Sequence, residues 1–521
     1  MIRGVGQALY CMKVDFAKNT RRNMIAGALN KVVGLLFPFL NRTLFLWLMG
    51  PEYLGLNGLF GSILGVLMLA ELGFGTAVVC SMYKPIADDD RALVSAYLKF
   101  YRKVYRWVGA VIFTIGLAML PFIRNLVHGD LPPDVNLHVL YLIHLVNTSV
   151  SYFLFAYRGS VLAAHHRVDV LTNIRTGVSA LQYVTVFMIL LLTRNYYHYV
   201  LATVVFTVIQ NILVMRESRR LFPDIEPKGN LPGDMRHKVV SDVKSIFLHK
   251  IGGVISYQVD NIVMSSFLGL VAVASYGNYY YVVTAATGFV WTIYYSMLGG
   301  FGNKIHTESR KSNFDLFMRA HRLVMAVVVA FCAYMTALYQ PFMEIWTRRD
   351  PDLMRHALTP ILMVVYFYVS QSRQTLLTFK SAAALWKQDR LKPIVAGVVN
   401  LALNITLVIC LPERYKLDGV VFSTIVSFLF IQIPWEAHVV FSNFFDSRQA
   451  SVYWISQAKF LAAAAVSCAL TWQISCHVHV GGTVGLILKA LAVSVVALVP
   501  LCKYWYPFLN RHFRHVPDSA V

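Results

Sequence analysis

The chain has 521 residues, 57% hydrophobic and 14% charged, with a mean hydropathy of +0.56, against roughly 45–50% apolar and about 25% charged in soluble domains. This excludes a solvated enzyme or binding module and indicates an integral membrane protein. The net charge of +21 would suit nucleic acid, but basic loops facing anionic lipid account for it, and no nucleic acid partner is expected.

A helix needs about 20 residues to cross the roughly 30 Å hydrocarbon core. Apolar runs of that length predict fourteen spans, near 24–47, 55–82, 107–126, 137–157, 176–193, 197–215, 248–268, 272–300, 323–345, 357–379, 393–411, 419–440, 458–475 and 483–502. The expected fold is therefore all-α and polytopic. It divides into a segment 1–23, six helices over 24–215, a linker over 216–247, six helices over 248–440, two further helices over 441–502, and a tail 503–521. The linker is read from Pro223, Pro227, Gly229, Pro232 and Gly233.

Of the 47 Lys and Arg, 36 fall on the side of the termini and 7 on the other. Positive loops stay inside, so both termini are expected to be cytoplasmic. The first apolar run is as long as a full span, so no cleavable leader is expected. Seven cysteines form no paired framework and read as small hydrophobes.

No loop is long enough for a catalytic domain, so enzyme activity is not expected. The acidic run Asp88-Asp89-Asp90 reads as a solvated loop, and His477-Val478-His479 lacks a third metal ligand nearby. No GxxxxGK[ST] phosphate loop occurs. No cofactor or metal is expected.

Some polar groups lie inside the spans, where a mid-helix charge costs on the order of 3 kcal/mol. In the first span Lys31, Gly34, Pro38, Asn41 and Arg42 share one helical face; in the seventh Lys250, Gly253, Tyr257, Asp260 and Asn261 do. The two segments are 219 residues apart, and at that offset Gly34, Gly50 and Gly58 meet Gly253, Gly269 and Gly277. Both stripes are expected to face a bundle interior or wet cavity. Lys31, Lys250 and Arg42 also fit snorkelling to the headgroups, and that alternative stays open. Arg373, among Tyr366, Tyr368, Gln371 and Gln374, is the strongest candidate for a cavity cation, with Arg158 as its counterpart in a similar Arg-x-Ser/Thr-x-Leu context. Asp260 and Glu71 read either as coupling groups or as local pairing partners.

Interior cations in excess of acids favour an anionic cargo, and the guanidinium fork suits phosphate. The segments GPEYLGLNGLF, ELGFGTA with SMYKPIA, FYRKVY, YQVDNIV and SRQTLLTFKSAAALWKQDR resemble the polysaccharide repeat-unit flippases of the multidrug/oligosaccharidyl-lipid/polysaccharide (MOP) exporter superfamily. The resemblance implies two six-helix lobes around a central cavity plus two final helices. Its implied cargo is an isoprenoid-diphosphate-linked oligosaccharide, moved outward across a bacterial plasma membrane by alternating access. The implied cavity cations are Lys31, Arg42, Lys250 and Arg373, with Asp260 and Asn261 beside them. The implied partners are the lipid-linked glycan, membrane lipids, and a polysaccharide polymerase or other export protein. A cation-coupled drug or metabolite antiporter of the same superfamily is one alternative, and a membrane-embedded glycan polymerase or ligase another.

Overall fold

The computed structural model describes residues 34–505 apart from Leu72, Asp130, Ala384 and Trp386, and gives only the backbone course for a few stretches, chiefly 244–257. Every regular element among the described residues is a helix. In lipid every backbone polar group must be satisfied within the protein, by a helix or a closed barrel, and apolar runs of about 20 residues suit the helix. The helices are α1 (Gly34–Met49), α2 (Pro51–Leu67), α3 (Phe74–Ala87), α4 (Arg91–Met119), α5 (Leu137–Phe153), α6 (Gly159–Ala164), α7 (Val168–Thr193), α8 (Tyr196–Leu221), α9 (Gly233–Leu268), α10 (Leu270–Thr307), α11 (Arg310–Trp346), α12 (Leu358–Ser372), α13 (Gln374–Ala382), α14 (Lys392–Cys410), α15 (Lys416–Ser427), α16 (Ile433–Asn443), α17 (Ser447–His477), α18 (Gly482–Ala497) and α19 (Val499–Trp505).

Over the described residues, each span expected from the sequence falls on one of these helices or on a bent or broken pair, the first of them only from residue 34 on. By length and composition, seven of the described helical stretches can cross a membrane, or nine counting the pairs α5/α6 and α18/α19, bent by 47° and 43°. The second expected span is broken between Glu71 and Phe74, where Gly73 takes φ 100°. The tenth breaks at Arg373, between α12 and α13. Several helices start at polar caps: Asp90 accepts from the Leu93 amide, Asn136 from His138 and Val139, Asn195 from Tyr197 and His198, and Asp446 forms a capping box with Gln449.

The repeat at offset 219 has a structural counterpart. Gly50 precedes α2 with φ 106° and ψ 172°, and Gly269 precedes α10 with φ 83° and ψ 178°. Both hairpins thus turn on a residue in a conformation that only glycine adopts without strain.

The chain forms two compact units. One runs to Phe247; the other begins at Leu248 and also takes in Leu126–Gly129. In the first unit α4 and α5 approach closely: a Cβ at Gly109 would come within 2.6 Å of Tyr152 Cβ, and one at Gly116 within 2.4 Å of Leu145 Cδ1. Small residues at such crossings let backbones meet in the absence of a hydrophobic drive between helices. The segment expected to be a loose linker is largely helical, because α8 continues to Leu221 and α9 starts at Gly233. The non-helical remainder is docked, with Ile225 and Leu231 buried among Val94, Tyr97, Tyr101 and Val239. Proline and glycine mark where a helix stops, and they are silent on whether apolar residues between them have a surface to cover.

In the second unit an aromatic core of Phe317, Phe379, Phe441, Phe445 and Tyr453 joins α11, α13, α16 and α17. Helix α17 is fastened along α11 by Thr471 Oγ1 donating to the Ala333 carbonyl at 3.1 Å and Ser475 Oγ to that of Ala337 at 3.0 Å.

Candidate functional site

Five charged side chains are buried together in the second unit. Arg373 Nε donates to Glu436 Oε2 at 3.0 Å, and its Nη2 donates to Oε1. Lys392 Nζ reaches the same Oε1 at 2.5 Å and Asp389 Oδ2 at 3.2 Å, and Lys380 Nζ also pairs with Asp389. Relative exposures are 7% for Arg373, 4% for Lys392 and 0% for Lys380, Asp389 and Glu436. Among the described residues three cations face two carboxylates. Buried charges persist only when paired and hydrogen-bonded, which this arrangement supplies. The guanidinium also lies over the Phe428 ring, its Cζ 5.0 Å from the centroid.

The backbone explains how these groups meet. Arg373 sits at the α12/α13 break, and Glu436 lies one turn beyond a π-helical turn, Phe428–Gln432. Pro434 has no amide to donate to the carbonyl four residues back, and the π turn absorbs that mismatch. Twelve regular steps from Thr424 would turn Glu436 about 120° away, whereas one residue taken up by the π turn brings it within about 30° of the Thr424 face.

A second polar cluster surrounds Asp260, which is 3% exposed. Asn404 Nδ2 donates to its Oδ1 at 2.7 Å and Thr424 Oγ1 to its Oδ2 at 3.4 Å, while Tyr276 lies at 3.5 Å, the edge of bonding range. Asn404 is bonded in turn to Asn400 at 2.7 Å and to Ser423, and Asn400 donates to Thr424 at 3.1 Å. All four helices α9, α10, α14 and α15 contribute. No salt bridge to Asp260 occurs among the described residues, so neutral donors alone hold this acid.

In the first unit Glu71 accepts from the hydroxyls of Tyr105 and Tyr152 at the α2/α3 break. Asn41 Nδ2 donates to Tyr199 at 2.9 Å, and the neighbouring Arg42 is half-buried. Arg158, 1% exposed, donates to the Ile225 carbonyl at 3.0 Å and to Glu226 at 2.5 Å, which pins the docked 222–232 segment.

The model of the polysaccharide biosynthesis protein family matches residues 20–298, just over half of the chain. The chain belongs to that family. No curated protein matches it by sequence. Among solved structures it is similar to the lipid II flippase MurJ in an inward closed conformation, at 14% identity and a TM-score of 0.63, covering 93% of this chain and 99% of that one. It is also similar to an inward-facing multidrug-resistance MATE transporter of the MOP superfamily, at 13% identity and a TM-score of 0.62, covering 80% and 98%. A third likeness is to the multidrug transporter DinF-BH, at 14% identity and a TM-score of 0.56, covering 81% and 95%. This polysaccharide biosynthesis protein therefore has the polytopic all-α fold of those membrane proteins.

Within this family member the expected site residues fall in separate places. Arg373 is in the five-charge cluster, Asp260 in the neutral one, and Glu71 and Arg42 in the first unit. Asn261 is half-buried beside Asp260. Lys31 and the side chain of Lys250 lie outside the described residues. Lys380, Asp389 and Lys392, which lie between or at the edges of the expected spans 357–379 and 393–411, are buried, because the turn between α13 and α14 folds back against α16. Glu436 is legible as an acid within a span, but its partner is not, since the π turn resets its face. Asn400 and Asn404 carry a signal the sequence reading passed over: two amides at i and i+4 in an otherwise apolar helix.

Proposed function

We propose that the chain is a flippase that moves an isoprenoid-diphosphate-linked oligosaccharide from the inner to the outer leaflet of a bacterial plasma membrane by alternating access. The observation that carries this reading is the conjunction of membership in a polysaccharide biosynthesis family with the fold of a membrane transporter. A protein of that fold serves glycan assembly by carrying a glycan, and a glycan crosses a bilayer economically when one end is already lipid.

The two six-helix halves, 24–215 and 248–440, rock about a midplane site while the lipid tail stays in the bilayer. Arg42, Lys31 and Lys250 partly neutralise the diphosphate. Arg373 contributes as part of its buried charge cluster, because its fork is already engaged by Glu436. Asp260, with Asn261 beside it, and Glu71 are the coupling carboxylates: each is held by neutral donors and is free of a salt bridge among the described residues, so gaining a proton or small cation changes its net charge. A polysaccharide polymerase is the partner that consumes the exported unit.

Depletion tests the proposal. The expected result is lipid-linked glycan accumulating at the inner leaflet and loss of surface polysaccharide. Unchanged glycan, with altered sensitivity to cationic drugs, would favour the antiporter reading instead.

A further inference from the structure

Two connections of the second unit meet at one imidazole. His356, just ahead of α12, brings its Nε2 to the turn between α14 and α15, 3.0 Å from the Arg414 carbonyl and 2.9 Å from Asp418 Oδ2. Both of those atoms are acceptors, so Nε2 carries a hydrogen and Nδ1 is the nitrogen that takes a second proton. The Nε2 hydrogen goes to the carbonyl: Asp418 Oδ2 is buried without a hydrogen-bond partner among the described residues, while Oδ1 accepts from Thr359 Oγ1 at 2.7 Å.

What joins His356 to Asp418 is therefore charge rather than a shared hydrogen. A neutral ring leaves the carboxylate, on a residue 3% exposed, with one oxygen unsatisfied, which carries a desolvation cost; a protonated ring turns the same contact into an ion pair. Imidazole makes this change between about pH 5 and 8, and with 17% of its side chain exposed the ring exchanges protons with solvent. The other charged groups around it are Asp352 and Arg355 on its own connection and Glu413, Arg414 and Lys416 on the facing turn. Lys416 is paired with Glu413, and Arg355 Nε donates to Ser275 Oγ of α10 at 2.9 Å. Tyr279 of α10 accepts from the Arg355 amide, Gln340 of α11 donates to the Arg355 carbonyl, and Glu344 of α11 lies near Tyr279.

The contact matters for what it ties together. Helix α12 leads from it to the break at Arg373, and α14 and α15 carry Asn400, Asn404, Ser423 and Thr424 around Asp260. The base of that hairpin is tight, since a Cβ at Gly419 would come within 2.8 Å of Leu411 Cδ1, so a pull on Asp418 is passed to both helices. The two connections lie on the side poor in Lys and Arg, the expected outer side.

We propose that His356 is a proton sensor on that side: its protonation clasps α12 to the α14/α15 hairpin, and loss of the proton loosens the hairpin that holds the donors to Asp260. The clasp works in the same way whatever the cargo.

Hydrogen–deuterium exchange of the detergent-purified full chain tests this at the backbone amides of 411–420, with each variant compared to wild type at the same pH so that the intrinsic pH dependence of exchange cancels. His356→Gln keeps a donor for the Arg414 carbonyl but takes up no proton. It is expected to exchange at the wild-type rate at about pH 8 and about threefold or more faster at about pH 5, where the wild-type pair is charged. His356→Lys, charged at both, is expected to stay protected at both, and Asp418→Asn to lose the pH dependence. A ratio of His356→Gln to wild type that is the same at both pH values, or a pH dependence that survives in Asp418→Asn, would overturn the proposal. So would loss of the cooperative thermal transition by His356→Gln at about pH 8, which would make the histidine a packing residue.

Discussion

Arg373 and Glu436 form a two-pronged ion pair across 63 residues of sequence, and Lys392 shares one of its two carboxylate oxygens. The carboxylate is thus the hub on which two helix breaks close. Glu436→Ala leaves two cations without it in a site from which water is excluded, a change that costs about 3–5 kcal/mol. The expected outcome is a large fall in membrane level and in the thermal midpoint of the detergent-purified protein.

The same pair separates structure from transport. Arg373→Met with Glu436→Leu removes both charges and is expected to recover most of the stability lost in either single variant, because isosteric apolar replacement of a buried pair is often neutral. Under the proposed function export stays lost in this double variant at normal membrane level. Arg373→Lys is expected to recover export poorly, since the fork is gone. Restored glycan export in the double variant would assign the pair to folding alone.

Asp260→Asn keeps the shape of the carboxylate and most of its bonded surroundings but removes its charge. The protein is expected to reach the membrane normally and to lose the dependence of transport on an imposed ion or proton gradient in proteoliposomes. Asn404→Ala strips a neutral partner and is expected to cost about 1–3 kcal/mol for the unmade bonds. Gradient-dependent transport by Asp260→Asn at the wild-type rate would remove Asp260 from coupling.

Arg158 anchors the docked segment after α8. Arg158→Ala is expected to release it and to speed tryptic cleavage at the exposed Lys228 several-fold, an effect that follows from local opening rather than global unfolding. Equal cleavage rates in the two proteins would mean that the buried Ile225 and Leu231 hold the segment without the guanidinium.

Gly109 sets how closely α4 meets α5, and Tyr152 across that crossing also bonds Glu71. Gly109→Leu is expected to push the helices apart, lowering thermal stability and transport together. The same change at Gly177, where a Cβ meets nothing within 4 Å, is expected to leave both unaltered.

The sequence alone determined the class of this protein. A run of some twenty apolar residues has one stable form in lipid, so composition and periodicity were enough to place helices, and the repeated glycines at 50 and 269 were enough to mark two equivalent turns. It also showed which charges needed a partner, because cost depends on depth. Tertiary structure decided who the partners are. Arg373 could be seen as a charge in want of an anion, but its alignment with Glu436 depends on the π turn Phe428–Gln432 that precedes Pro434, and that of Lys392 and Asp389 on a turn that folds back into the unit. Likewise the prolines around 223–232 signalled a loop, while the burial of Ile225 and Leu231 made it a docked one. Periodicity is a property of one helix, and an ion pair is a property of two; the register between helices is set by the sum of many weak packing contacts and cannot be read from either strand of sequence alone.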